Sequence, residues 1–236
     1  DSFFGETLNS RNTILSNEQW TYYTDRNGLG DIIQKSNANE AHLFEYRGDK
    51  RLQKYTHIQN GIETNNTEYY FDALGRRVAK DIQTPIDTFT HTFVYEADTS
   101  SILLAKKGNG EEKLYIDGNQ ENERLAEIGA DGVKPYIVDH LGTVLNSAVN
   151  NEKRATGAFG ELLGAKPILN SSSDAVNYGF IGAEYDIESN SHFIEARQYD
   201  QDSARFFAQD PALVTGTGEN PYDYALANPL LYVDRN

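Results

Sequence analysis

The side chains able to do chemistry in this chain are mostly carboxylates. Its 236 residues carry 36 Asp and Glu against 21 Lys and Arg, a formal charge of -15. There is no Cys, which removes thiolate nucleophiles, disulfides and Cys-based zinc sites. The His residues at positions 42, 57, 91, 140 and 192 show no His-x-x-x-His spacing and read as surface or turn residues. No metal and no cofactor is therefore expected. No glycine-rich loop opens a helix to cradle phosphate, and no Gly-x-Ser-x-Gly elbow presents a nucleophilic serine. Carboxylates do acid–base work in pairs. Two of them in a confined site raise each other's pKa, so one stays protonated as an acid while the other takes a proton from water.

Such a pair needs a scaffold, and the scaffold reads as β-structure built from a repeated unit. The pattern Tyr-x-x-Asp-x-x-Gly occurs at Tyr22, Asp25 and Gly28, at Tyr69, Asp72 and Gly75, and at Tyr136, Asp139 and Gly142. Degenerate copies fall at Phe44, Tyr46 and Gly48, and at Phe159, Gly160 and Leu162. Each copy suits one strand–turn–strand unit: Tyr fits a half-buried pleated surface, Asp starts the turn, and Gly takes a positive φ. Strands are expected over 76–80, 91–96, 102–106, 113–117, 143–146 and 178–181, bounded by Asn109-Gly110, Asp117-Gly118 and Asp131-Gly132. Helical periodicity is poor, the best candidate being 220–227 with Pro221 near its start. The 15 Tyr are expected to pack between strands as cross-strand pairs rather than to stack sugars. Residues 166–177, with Pro167 and a serine run, are the most loop-like stretch and an expected internal boundary.

Charge and hydropathy bound the partners. So acidic a chain repels phosphate backbones, so nucleic acid is not expected to bind it. No apolar run approaches the length of a membrane span. The sequence starts at Asp1 without Met, which reads as a fragment or a processing product.

From residue 176 onward the composition changes. The chain carries Arg197, Tyr199 and Asp200; Arg205 and Phe206 running to Asp210 and Pro211; Asn220, Tyr222 and Tyr224; then Asn228, Pro229 and Asp234. In order and spacing this closely resembles the RHS-repeat-associated core domain, and the upstream Tyr-Asp repeats are similar to the YD repeats of the same family. Three positions depart from the usual pattern: Gln198 replaces a Tyr, Ala204 replaces a Gly, and Arg235 stands where Pro is commoner.

The resemblance implies an all-β fold: serial antiparallel hairpins over 1–170 forming part of a curved, hollow shell, and a core domain over 176–236 folded inward as a plug. It implies a shell that encloses a C-terminal toxin polypeptide and cuts it from the chain just downstream of Asp234. The residues carried over for this single-turnover autoproteolysis are Arg197, Asp210 and Asp234, with no external substrate. Implied partners are the cleaved toxin cargo, the remaining shell segments (an N-terminal part of the same protein or a B-type subunit), and a secretion-system spike or an immunity protein. Such proteins include type VI and contact-delivered effectors and the C subunits of Tc-type toxins. They are made in the cytoplasm and secreted or delivered by a bacterial secretion system.

The residues support this chemistry independently only in part. Arg197 can keep one carboxylate ionised or stabilise an oxyanion by charge-assisted hydrogen bonds. If 192–199 forms one strand, Arg197 shares a face with Phe193, Glu195 and Tyr199. Arg205 is the rival cation. Against this, Asp-Pro pairs start turns, and an acidic chain will place carboxylates near any Arg. Two other readings stand beside it: a non-cleaving, teneurin-like adhesion shell, and a glycosidase using paired carboxylates.

Overall fold

The computed structural model describes residues 6–9, 13–25, 30–119, 123–145, 155–164, 169, 173–210 and 220–229. Thirteen strands follow one another as β1 (Thr7–Leu8), β2 (Ile14–Ser16), β3 (Thr21–Thr24), β4 (Ile32–Ser36), β5 (Glu40–Tyr46), β6 (Leu52–Gln59), β7 (Ile62–Phe71), β8 (Arg77–Gln83), β9 (Thr88–Tyr95), β10 (Ile102–Lys106), β11 (Glu112–Asp117), β12 (Arg124–Gly129) and β13 (Gly132–Pro135). Each pairs antiparallel with its sequence neighbours in a single sheet, the wall. A second sheet joins β14 (Glu184–Asp186), β15 (Ser191–Ile194), β16 (Arg197–Asp200) and β17 (Arg205–Phe206), again in sequence order. Among the described residues there is no α-helix. The all-β serial-hairpin fold expected from the sequence is the fold observed.

The repeat is a turn of defined geometry. At Asp72 the backbone N–H donates to Arg76 O (3.0 Å), and Gly75 N–H donates to Asp72 O (3.1 Å). The Asp72 carboxylate accepts the N–H groups of Leu74 and Arg76, each at 2.9 Å. Gly75 takes φ +81°. Asp139 repeats the arrangement with Leu141 and Thr143 at 2.9 Å and Gly142 at φ +86°. The backbone pattern recurs at 47–51, 107–111 and 157–161, with Lys50, Gly110 and Gly160 at positive φ. This is a hairpin loop that ends in a residue bulged into the left-handed region, where Gly has no Cβ penalty. At Asp25 the loop is wider: its N–H reaches Asp31 O at 3.0 Å, and Gly28 lies outside the described residues.

Alternation buries one face of the wall. In β9, Phe89, His91 and Phe93 point inward between exposed neighbours. Tyr22, Phe44, Tyr55 and Tyr69 line the N-terminal half, joined by Phe207 from the far end of the chain. Phe93, Ile102 and Tyr115 line the C-terminal half, joined by Ala175, Val176 and Tyr178. The small sheet rests on this face. Asp186 on β14 and Asp200 on β16 lie two strand spacings apart, ~10 Å, yet their cationic partners come from β8 and β4, four spacings or ~19 Å apart. The long Arg77, Lys80 and Lys35 side chains reach inward across that difference to meet the two carboxylates.

Several local expectations fail. Residues 178–181 are not a strand: Tyr178 makes one bridge to Glu184, and Phe180–Gly182 is a 3-10 turn. Among the described residues 143–145 only Val144 forms a bridge, with Val138, and Asn146 lies outside the described residues. Residues 192–199 are a hairpin rather than one strand, because Glu195 turns the chain at φ +55° between β15 and β16. The expected helix at 220–227 is a set of turns whose Ala225, Leu226 and Ala227 all have positive φ. Of the stretch expected to be loop-like, the described residues 173–177 form no strand and are buried against the wall. His42, His91 and His192 are buried, not surface residues.

Candidate functional site

Arg197 opens β16 and is fixed by the hairpin around it. It pairs with Ile194 across the turn, and its guanidinium lies over the Phe206 ring at 3.5 Å. After β17 the chain meets the start of β4: Ile32 N–H donates to Phe207 O (2.8 Å), and Phe207 N–H donates to Gln198 O (2.9 Å). Asp210 follows two residues after the buried Ala208. The segment from Asn220 folds back beside it, and Phe206 N–H donates to Tyr222 O at 2.9 Å. Tyr222 packs so tightly on the wall that a Cβ on Gly30 would stand 2.1 Å from its hydroxyl.

These elements bring two of the three sequence-predicted residues together. Arg197 Nη2 lies 3.3 Å from Asp210 Oδ2. Arg197 Nη1 donates to Pro221 O (3.2 Å), which also accepts the Asp210 N–H (3.1 Å). The guanidinium is buried, while the Asp210 side chain keeps 20 % of its surface open. Asp234 lies outside the described residues. One acid was missed by sequence reasoning: Asp31 accepts the Gln209 N–H at 3.3 Å, next to Asp210, and is held by Lys50. The rival cation Arg205 has a different task. It pairs with Glu6 and Asp223, each at 3.2 Å, and so ties the start of the wall to the tail of the core. Burial raises the pKa of both acids despite Arg205.

The core is held against the wall by buried ion pairs that the sequence analysis did not single out. Asp174 binds Lys107 (2.9 Å) and Lys113 (2.8 Å). Asp186 binds Arg77 (2.7 Å) and Lys80 (3.3 Å), and Glu188 binds Lys80 (3.1 Å). Asp200 accepts from Lys35 (2.8 Å), Tyr22 (3.0 Å) and Ser203 (2.9 Å). Burial opposes the charge on Lys35 and Lys80, but their acidic partners overcome it and raise both pKa values. Burial likewise works against an ionised Asp186, yet Arg77 and Lys80 hold its carboxyl at about 2. In the sequence the one available signal was a cation at an inward position of an alternating strand, as at Lys35, Lys80 and Lys113.

No protein-family model matches the chain. It is 27% identical to the double-stranded DNA deaminase toxin A of Burkholderia cenocepacia (strain H111), over 87% of this chain and 16% of that protein. It is 32% identical to the toxin protein Tse5 of Pseudomonas aeruginosa, over 87% of this chain and 18% of that protein. The chain thus spans less than a fifth of the length of these relatives. Among solved structures it is similar to TccC3 in the TcdB2-TccC3 crystal structure, with a TM-score of 0.33 and 12% identity over 97% of this chain and 18% of that one. The TcdB2-TccC3-Cdc42 structure gives the same TM-score over 95% of this chain and 17% of that one. With its Tyr-Asp turn motif, its C-terminal signature and its similarity to these two toxins, the chain is an RHS/YD-repeat, toxin-associated protein.

Proposed function

We propose that this chain is a wall segment and core of a shell that encloses a toxin polypeptide, and that the core cuts that polypeptide free just downstream of Asp234. The observation that carries the reading is the Arg197–Asp210 contact. A buried guanidinium, pinned by a backbone carbonyl and an aromatic ring, orients a partly exposed carboxylate on a segment folded against the wall. In this reading Asp210 takes the proton of an attacking water. Asp234, protonated, polarises the scissile carbonyl and passes its proton to the leaving amide nitrogen, so one peptide bond is hydrolysed per chain. Arg197 acts as the orienting and charge-stabilising group. The remaining wall, from the same protein or a B-type subunit, completes the enclosure, and a secretion system delivers the assembly.

The test is the chain extended past Asn236 with its native downstream residues, followed on a denaturing gel. Cleavage is expected in the parent and in Arg205→Lys. Asp210→Asn and Asp234→Asn are expected to stay intact, and Arg197→Lys, which keeps the charge but loses the planar fork, to cut slower by about tenfold or more. Cutting in both Asp variants overturns the reading. So does an intact parent chain, which points to a non-cleaving shell.

A further inference from the structure

A second constellation sits far from Arg197, on the inner face of the wall. Glu40 and His42 are two residues apart on β5, so their side chains share one face. His57 on β6 is directly opposite His42 in the strand register. One ligand atom from each of the three lies within 4.8 Å of the others. Glu40 Oε2 is 3.0 Å from His57 Nε2 and 3.7 Å from His42 Nε2. These separations bracket the ~3.3 Å between neighbouring ligand atoms of a tetrahedral ion with bonds of about 2.0–2.1 Å.

The second observation is independent of that spacing. Each imidazole engages a hydroxyl through its other nitrogen: His42 Nδ1 meets Tyr55 Oη at 2.7 Å, and His57 Nδ1 meets Thr64 Oγ1 at 2.8 Å. Either hydroxyl can accept from Nδ1–H, and in that tautomer Nε2 carries the lone pair an ion takes; in direct contact with the Glu40 carboxylate, which only accepts, His57 Nε2 is the donor. Both rings turn Nε2 towards the same carboxylate. The trio also lines a cavity of about 480 Å³ between wall and core, shared with Trp20, Glu188 and Asn190. An ion held by three protein ligands there keeps one position facing that space.

We propose that Glu40, His42 and His57 bind a divalent transition-metal ion, with Zn²⁺ as the species best suited to two imidazoles and one carboxylate. The ion joins β5 to β6, and its fourth position takes water or a carboxylate from the cavity side. The expectation of no metal rested on the absence of His-x-x-x-His spacing, whereas this cluster assembles across two paired strands.

The experiment uses the full chain, stripped with chelator and titrated with Co²⁺ by visible absorption, then with Zn²⁺ by calorimetry. The expected result is one ion per chain, tetrahedral Co²⁺ bands, and displacement of Co²⁺ by Zn²⁺. His57→Gln and Glu40→Gln are expected to weaken binding more than tenfold, and Thr64→Val, which leaves all three ligands in place, by about tenfold. His91→Gln, outside the cluster, is expected to leave binding unchanged. Absence of stoichiometric binding by the parent chain overturns the proposal whatever the variants do. So does binding that folded His57→Gln and Glu40→Gln, checked by circular dichroism, leave intact.

Discussion

Arg77 of the wall donates a hydrogen bond to Asp186 of the core at 2.7 Å, and neither side chain is exposed by more than 1 %. The Arg77 guanidinium also lies 4.2 Å from the Phe193 ring, so its position is fixed by packing as well as charge. A buried pair of this kind adds little net stability compared with an apolar pair, but losing one partner strands a charge in a dry interior.

Asp186→Asn is therefore expected to destabilise the chain by about 3–5 kcal/mol at neutral pH. Its acid behaviour gives a second readout. The folded pKa of about 2 lies below the ordinary value of 3.8. The contribution of Asp186 is present above pH 3.8 and is lost as pH falls towards 2, a change on the order of 2 kcal/mol. Urea unfolding across that window should show a steeper loss in the parent than in Asp186→Asn. Parallel curves would show that Asp186 is not the group titrating there.

His91 gives a pH dependence in a higher window. Burial, then Lys80 and Lys107, lowers its pKa from 6.5 to about 3. The folded protein holds the ring neutral, while the unfolded chain takes up a proton below pH 6.5, so stability falls with pH from 6.5 towards 3. By pH 5 the loss from this residue is about 2 kcal/mol. His91→Gln should be less stable at pH 7 but lose less between pH 7 and 5, as read by denaturant midpoints at the two pH values. An equal loss in both proteins would contradict this assignment.

Ala204 makes the third prediction. It precedes Arg205 and Phe206 at φ +56°, a region that costs a residue with a Cβ roughly 1 kcal/mol. Ala204→Gly is expected to raise stability by about 0.5 kcal/mol, because the relief of strain exceeds the added unfolded-state entropy. Thermal unfolding with unchanged cooperativity checks it, and a lower Tm would refute the strain argument.

The hairpin wall was legible in the sequence because its determinants are local. Asp72 and Asp139 bond to backbone within four residues, and Gly75 and Gly142 supply a backbone state that other residues enter at a cost. The same locality made Ala204 visible as a departure, and its positive φ now explains why Gly is usual there. The Arg197–Asp210 pairing was legible only through the C-terminal signature, since nothing within 13 residues of chain forces those side chains together.

Tertiary structure alone decided the rest, because long-range pairing leaves no periodic trace. Lys35 meets Asp200 across 165 residues and Lys80 meets Glu188 across 108. Whether an inward cation is tolerable depends on which carboxylate arrives opposite it. Glu40, His42 and His57 likewise become neighbours only once β5 and β6 take their register. One residue of slip in that pairing would turn either His57 or the Glu40–His42 pair to the outer face and disperse the cluster.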